Sequence, residues 1–407
     1  MSRASKVVAL FPWGDVVEEF LDPIGLHLED FVERMTGGWL FGYAAALKLA
    51  GHRPMIVCAS ERVDLVTQHR HAATETPIWV VPGTRASKDG SDAAYSFRRW
   101  RATPLAAFRK VLADAPCNVI LAQEYEYTRF DLLAWLAWRM HLPFYATFQG
   151  GDRTLSWLEG IARKASLRAC QGLIVASAAE RERLSRAYPG IRLNVADIPN
   201  PIDADEWRAT DRLQARTALG LPADAFIAIN HGRIDIRRKG LDVLLQAWSA
   251  LADDPQAKLV IVGSGQDRNA FAELVRESGF PNLLWLSDYT TDRAVMRRWL
   301  SAADAYVTTS RIEGMPVAPL EAMACGLPVL ASDAQGLPDI LAEGEASGGL
   351  LLPREAPEEI ANGLMRLRDD AELRHRLGIA ARRRVEQNFS LQAVGTALGA
   401  FLTGDRR

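Results

Sequence analysis

Glu313 and Glu321 stand eight residues apart in Ser310-Arg-Ile-Glu-Gly-Met-Pro-Val-Ala-Pro-Leu-Glu-Ala-Met-Ala-Cys-Gly-Leu-Pro-Val-Leu330. The run Ala305–Thr309 before them predicts a strand. The residues from Pro316 onward predict a helix, because proline suits the first helical position. Exposed N–H groups and the dipole make such a helix start a site for phosphate. Glu313 falls in the loop, and Glu321 lies about two turns further on, inside the helix. Carboxylates framing that start can accept hydrogen bonds from sugar hydroxyls on either side of a diphosphate. The plainer alternative makes Glu313 a helix-start charge and Glu321 a solvated residue.

A second loop bears on that choice. The strand-like run Phe226–Asn230 leads into His231-Gly-Arg233-Ile-Asp-Ile-Arg237-Arg238-Lys239-Gly240, and a helix is predicted over Leu241–Leu251. A Gly-rich strand-to-helix loop holding Arg233 and Lys239 suits a diphosphate, the arginine by its fork and the lysine as a point charge. Arg237 and Arg238 read as solvated, and an exposed basic loop is the alternative for the whole stretch.

Together these stretches resemble the family-4 retaining glycosyltransferases (glycosyl transferases group 1) of the GT-B fold. The resemblance is carried by Gly232-Arg233…Lys239-Gly240, Leu259-Val-Ile-Val-Gly-Ser-Gly265, Ala303-Asp304, Glu313-x7-Glu321 and Ala-Met-Ala-Cys-Gly-Leu-Pro-Val329. Gly336 with Asp339, Gly348-Gly-Leu-Leu-Leu-Pro353 and Asn388-Phe-Ser390 extend it; in the first half Gly37-Gly38, Ala50-Gly-His52 and Asn200-Pro-Ile-Asp203 match more weakly. It implies an α/β chain with two Rossmann-like, doubly wound domains facing a central cleft. Residues 1–200 would form the acceptor side, 201–385 the nucleotide-sugar domain, and 386–407 a helix returning to the first domain.

The resemblance also implies a reaction: a hexosyl unit passes from a UDP-, GDP- or ADP-linked donor to a saccharide or lipid-linked acceptor, with retention at the anomeric carbon. No cofactor and no metal is required. Arg233 and Lys239 would hold the diphosphate, and Glu321 the ribose hydroxyls. Glu313, with the backbone of Gly314, Met315, Pro316 and Val317, would contact the hexose, so Arg233, Lys239 and Glu313 form the catalytic group. Gly232 and Gly263 would line the donor site, and Gly37 and Gly38 would form a loop toward the phosphates. The family often places histidine in a T-x-H-G-like segment; here Ala146-Thr-Phe-Gln149-Gly-Gly-Asp152 puts glutamine there, and Gln149 and Asp152 become acceptor-side candidates. Pro316 replaces a glycine common in the family and removes one N–H. The rival readings are a GT-B sugar-nucleotide epimerase and a non-catalytic sugar-nucleotide-binding protein.

Other signals are weaker. Asp203-Ala-Asp205 has a metal-holding D-x-D spacing, but after Ile198-Pro-Asn-Pro201 it reads as a turn or helix cap. Gly263-Ser-Gly265 could open a dinucleotide loop, yet Arg268 occupies the place of the third glycine. His231 reads as a packed strand-end residue. Between Ala93 and Ala113, Arg98, Arg99, Arg101, Arg109 and Lys110 alternate with Tyr95, Phe97, Trp100 and Phe108 and no acid. That segment is either a solvated helix face or a peripheral membrane contact.

The supporting elements follow from patterning. Short apolar runs at Val7–Phe11, Met55–Ala59, Val119–Ala122, Phe144–Phe148, Leu173–Ala176, Leu259–Val262 and Pro328–Ala331 join the two strands above. Amphipathic stretches between several of them predict βαβ units and parallel sheets covered on both faces. The chain has 407 residues, 48% hydrophobic and 24% charged, enough for two such domains. With 48 basic and 50 acidic residues, its net charge of −2 gives no attraction to nucleic acid. Cys58, Cys117, Cys170 and Cys325 are scattered and read as reduced thiols. No apolar run reaches ~18 residues, and the N-terminal run is too short for a signal peptide. A cytoplasmic enzyme, working at the inner face of the membrane if the basic segment docks there, is the resulting expectation.

Overall fold

The computed structural model describes residues 5–22, 25–35, 38–86, 90–150, 155–288, 290 and 292–404. The chain divides into two compact units, Met1–Pro201 with Val394–Arg407, and Ile202–Ala393.

Among the described residues the first unit carries eight strands: β1 (Val7–Phe11), β2 (Arg53–Ser60), β3 (Thr67–Arg70), β4 (Pro77–Pro82), β5 (Val119–Gln123), β6 (Phe144–Thr147), β7 (Gly172–Val175) and β8 (Val195–Asp197). They lie in the order β3-β4-β2-β1-β5-β6-β7-β8. All neighbours are parallel except β3, which runs antiparallel to β4 at the edge. Every residue of β1 and β5 is buried. Strands covered on both faces have no polar side, so their sequences are continuous apolar runs. The polar Thr-Gln-His-Arg of β3 reflects its half-exposed edge position.

The last helix, Leu391–Thr403, belongs partly to this unit. Phe401 meets Tyr145 edge-on at 5.3 Å between ring centroids, and Lys6 Nζ donates to the Leu402 carbonyl at 2.8 Å.

The second unit holds β9 (Phe226–His231), β10 (Ala257–Val262), β11 (Leu283–Leu286), β12 (Ala305–Thr308), β13 (Val329–Ser332) and β14 (Gly349–Leu352). Their order is β11-β10-β9-β12-β13-β14, parallel throughout. The order reverses between β9 and β12, so the loops leaving those strands diverge, and ligands of open α/β sheets bind at such points. Trp248, fully buried in the core, donates its indole N–H to Asn282 Oδ1 at 2.9 Å. Buried Asp304, which also matches the family pattern, has a structural duty: it accepts from Arg216, Arg212 and the Ile227 amide. Cys58, Cys117 and Cys325 are buried, Cys170 half-buried, and all four are free. Burial pushes the Cys117 thiol up to about 11, so it is a poor nucleophile.

Candidate active site

In the second unit the loops after β9 and β12 carry the charged residues singled out in the sequence. Arg233 follows β9 after Gly232, and Lys239 ends the short helix Ile236–Lys239. Gly240 caps that helix with φ +59°, and a Cβ there would lie 2.0 Å from the Thr309 carbonyl oxygen. Only glycine permits that approach, which brings the Lys239 backbone against the end of β12. Thr309 Oγ1 donates to the Gly240 carbonyl at 2.8 Å and reinforces the contact. The result is a direct pair: Lys239 Nζ lies 2.6 Å from Glu313 Oε1, which also accepts from Ser310 Oγ at 2.7 Å.

A second pair lies at the end of β9. His231 Nε2 and Glu321 Oε2 are 2.7 Å apart, and both side chains are largely buried. The Tyr306 ring meets His231 edge-on at 5.4 Å, and burial pushes the Tyr306 hydroxyl far above its ordinary range. His231 Nδ1 is buried and has no hydrogen-bond partner. Arg293 lies in the electrostatic reach of Glu321 and Asp203 and pairs with Glu206; burial draws its guanidinium below the ordinary value, though it stays charged.

Arg233 is held differently. Its side chain is 39% exposed, its nearest carboxylate is Asp235 at 4.0 Å, and its Nε has no hydrogen-bond partner. Beside it, Gly263 has φ +148°, and a Cβ there would sit 1.8 Å from the Gly232 carbonyl oxygen. At this point the turns after β9 and β10 meet backbone to backbone.

The helix that was expected to start near Pro316 spans Val317–Ala324, with Pro316 as its N-cap. Glu321 consequently sits about one turn inside it. Neither Pro316 nor Pro319 has an N–H, so within Pro316–Pro319 the amides of Val317 and Ala318 alone remain as donors. Gly314 lies beside buried Met315 in the preceding loop.

Asp203 Oδ1 accepts from the amides of Asp205 and Glu206 at 3.1 and 3.0 Å, and Asp205 pairs with Arg208. The D-x-D stretch thus closes a turn. Arg268 begins the helix Arg268–Ser278.

In the first unit Gln149 is engaged rather than free. Its amide N–H donates to Glu124 Oε2 at 2.9 Å, its Nε2 to Thr147 Oγ1 at 3.1 Å, and it also bonds the Tyr43 hydroxyl. Glu124, immediately after β5, has φ +126°, a region that non-glycine residues seldom occupy, and its other oxygen accepts from the Glu126 amide at 2.9 Å. Its carboxylate clasps the ends of β5 and β6, and no spacing in the sequence announces it. Gly38 opens the helical turn Gly38–Gly42, while Gly37 and Asp152 lie outside the described residues.

Sequence reasoning also missed a cluster after β1. Trp13 meets Phe20, Tyr127 and Trp39 at 6.0, 5.9 and 6.4 Å between ring centroids. Beneath it Glu19 is bound by Arg99 and Tyr127, and Asp15 by Arg129. Residues far apart in the chain build this cluster, so no local motif marks it.

Residues 211–384 match the family described as Glycosyl transferases group 1, and residues 39–206 match Glycosyltransferase Family 4. The chain belongs to this glycosyltransferase family.

Among curated relatives, a D-inositol 3-phosphate glycosyltransferase of Streptomyces bingchenggensis is 32% identical over 252 residues, 60% of this chain and 55% of that one. An alpha-maltose-1-phosphate synthase of Mycobacterium tuberculosis is 32% identical over 261 residues, 59% of this chain and 64% of that one. The matched stretch therefore spans little more than half the length of these relatives. Among solved structures, a sucrose-phosphate synthase from Thermosynechococcus elongatus superposes with a TM-score of 0.73 at 22% identity, covering 98% of both chains. An Anabaena protein solved in complex with UDP-glucose gives 0.70 at 15% identity, covering 98% of this chain and 100% of that one. The fold of this family member is thus GT-B, with two Rossmann-like parallel sheets. No helix among the described residues is long and apolar enough to cross a membrane.

Proposed function

We propose that this glycosyltransferase moves a hexosyl unit from a nucleotide diphosphate sugar to the hydroxyl of a saccharide or lipid-linked acceptor, with retention and without a metal. The observation that carries the reading is the meeting of Lys239 with Glu313, and of His231 with Glu321, at the strand ends where the second sheet reverses its order.

In this reading Arg233 and Lys239 neutralise the diphosphate as it leaves. Lys239 has three N–H donors, so it can reach a phosphate oxygen while keeping Glu313. Glu313, oriented by Ser310, accepts a hexose hydroxyl, and Glu321, oriented by His231, accepts the ribose hydroxyls. The Val317 and Ala318 amides and the helix dipole add positive potential. The bond from the anomeric carbon to the diphosphate breaks as the acceptor oxygen bonds to the same face, and the acceptor proton passes to a phosphate oxygen. Arginine and lysine do the work that a divalent cation does in D-x-D enzymes. The domain division 1–200, 201–385 and 386–407 serves this arrangement, with the acceptor chosen by the first part and the reaction set in the cytoplasm.

Calorimetry with UDP, GDP, ADP and their sugars identifies the donor. Product analysis with that donor then decides the reaction: free nucleotide diphosphate with a new glycoside supports transfer, an epimerised donor replaces it with epimerisation, and binding without turnover leaves a sugar-nucleotide-binding protein. If no nucleotide binds, the reading falls.

A further inference from the structure

We propose that an exposed tryptophan face on the first unit docks on the surface of an anionic lipid bilayer. Three helices build the face: Asp92–Ala102, Arg129–Met140 and Trp157–Ala169. Phe97, Trp135, Trp138, Trp157 and Ile161 project from them with 53%, 48%, 63%, 68% and 66% of their surface exposed. Trp135 and Trp138 share one helix face by their spacing of three, as Trp157 and Ile161 do by their spacing of four. An apolar groove of about 660 Å³ runs there, lined by Trp100, Leu105, Trp135, Trp138, Ala162 and Ala165. Large apolar side chains gathered in one exposed region mark a contact surface. Tryptophan in particular settles at the boundary between bilayer headgroups and hydrocarbon.

The charges on these helices select the partner. Arg101, Arg139, Lys164 and Arg168 are exposed. The carboxylates are mostly withdrawn: Asp131 is buried in a two-point pair with Arg163 at 2.9 and 3.1 Å. Glu159 is buried and accepts from Ser96 at 2.7 Å and Thr128 at 2.8 Å. Among the described residues of the three helices, Asp92 alone is an exposed acid, and it lies in a first helical turn. Aromatic side chains ringed by cations complement an anionic bilayer. A second copy of the chain would instead set cation against cation.

This face corrects the reading of residues 95–110 as a docking segment by themselves. Arg99 is buried against Glu19, Phe108 is fully buried, and Trp100 donates its indole N–H inward to the Thr128 carbonyl at 3.0 Å. Phe97 and Arg101 face outward, and the tryptophans of the two later helices supply the rest.

The test is sedimentation of the whole chain with vesicles of phosphatidylcholine alone and of phosphatidylcholine with phosphatidylglycerol. At low salt the chain is expected to pellet with the anionic vesicles and to be released as salt rises, because screening shortens the attraction to about 10 Å at 0.1 M. Trp138→Ser with Trp157→Ser should lower partitioning at least about tenfold, by the apolar area it removes from the interface. Arg139→Gln and Arg168→Gln should each lower it by about fivefold. These variants touch no residue of the donor site, so nucleotide binding by calorimetry should be unchanged, which separates a failure here from a failure of the donor reading. Equal recovery in the supernatant with both vesicles overturns the proposal. So does a tryptophan double variant that is folded by circular dichroism and pellets like the parent. A chain that is dimeric by light scattering and becomes monomeric in that double variant also overturns it, in favour of a second copy.

Discussion

Two sets of arginines, one in each unit, serve opposite purposes. In the first, Arg163 is fully buried and gripped at two points by Asp131, while Arg99 and Arg129, each less than a tenth exposed, are held by Glu19 and Asp15. In the second, Arg233 is 39% exposed, with its nearest carboxylate 4.0 Å away. A buried, paired charge cannot change partners without a large desolvation penalty, so it holds shape. A half-exposed charge with a weak partner can bind something else at little cost. The first set fixes the ground beneath the aromatic cluster after β1, and the second is kept for an anion.

The largest expected effect tests the first half of that contrast. Asp131→Ala leaves the Arg163 guanidinium buried and uncompensated, and the loss should be ~3–5 kcal/mol, the usual cost of breaking a buried pair from one side. Arg233→Ala should change stability by no more than ~1 kcal/mol, as for exposed pairs. Chemical denaturation of both variants measures the difference. Equal losses would erase the distinction between holding and binding charges.

Activity should show the reverse order. Arg233→Ala and Lys239→Ala should each lower turnover by ~10²-fold or more, or ~2.7–4 kcal/mol on the barrier, as when a preorganised charge donor is removed. Transfer should continue in excess EDTA. Activity that chelation abolishes and Mn²⁺ restores would reopen Asp203-Ala-Asp205 as a metal site. A smaller loss belongs to binding: Glu321→Ala should weaken the nucleotide sugar by ~1.5–3 kcal/mol, the range for hydrogen bonds to a charged group. Unchanged affinity in calorimetry, with the fold intact, would detach Glu321 from the ribose.

The two units were also unequally legible in the sequence. The apolar runs foretold nine of the strands because parallel strands buried on both faces are written as uninterrupted apolar stretches. Polar edge strand β3 and three-residue β8 carry no such mark. In the second unit, Arg233, Lys239, Glu313 and Glu321 lie in the strand-to-helix connections or the helices that follow them, where glycines are demanded by backbone contacts, such as Gly240 against Thr309. Sequence therefore records the loop and its chemistry together. It did not show that Lys239 is already paired with Glu313, or that His231 orients Glu321, because those contacts join segments 74 and 90 residues apart. In the first unit, Glu19 meets Arg99 and Tyr127 from 80 and 108 residues away, and no local pattern encodes such a meeting. The docking face was half read: Phe97 and Arg101 lay in the basic run, but its tryptophans and its other cations, Arg139, Lys164 and Arg168, are spread over two further helices.

The smallest expected effect concerns pH and probes that same long-range network. Burial pushes the Glu19 carboxyl upward, but hydrogen bonds and charge from Arg99, with help from Tyr127 and Arg129, outweigh it, and the group titrates below its ordinary 4.5. An acid whose folded value lies below its unfolded value contributes stability that is fully present above the unfolded value and vanishes as pH falls through the folded one. Glu19 should therefore stabilise the first unit above about pH 4.5 and cease to do so in stronger acid. Other carboxylates titrate in the same window, so the useful quantity is the difference between the parent chain and Glu19→Gln, which keeps the side-chain shape and cannot ionise. Urea unfolding of both from pH 3 to pH 7 should give a gap in favour of the parent near neutrality that narrows steadily below about pH 4.5. A gap of constant size across the range would mean that Glu19 acts through packing and uncharged hydrogen bonds. The charged network after β1 would then be a weaker support than its buried arginines imply.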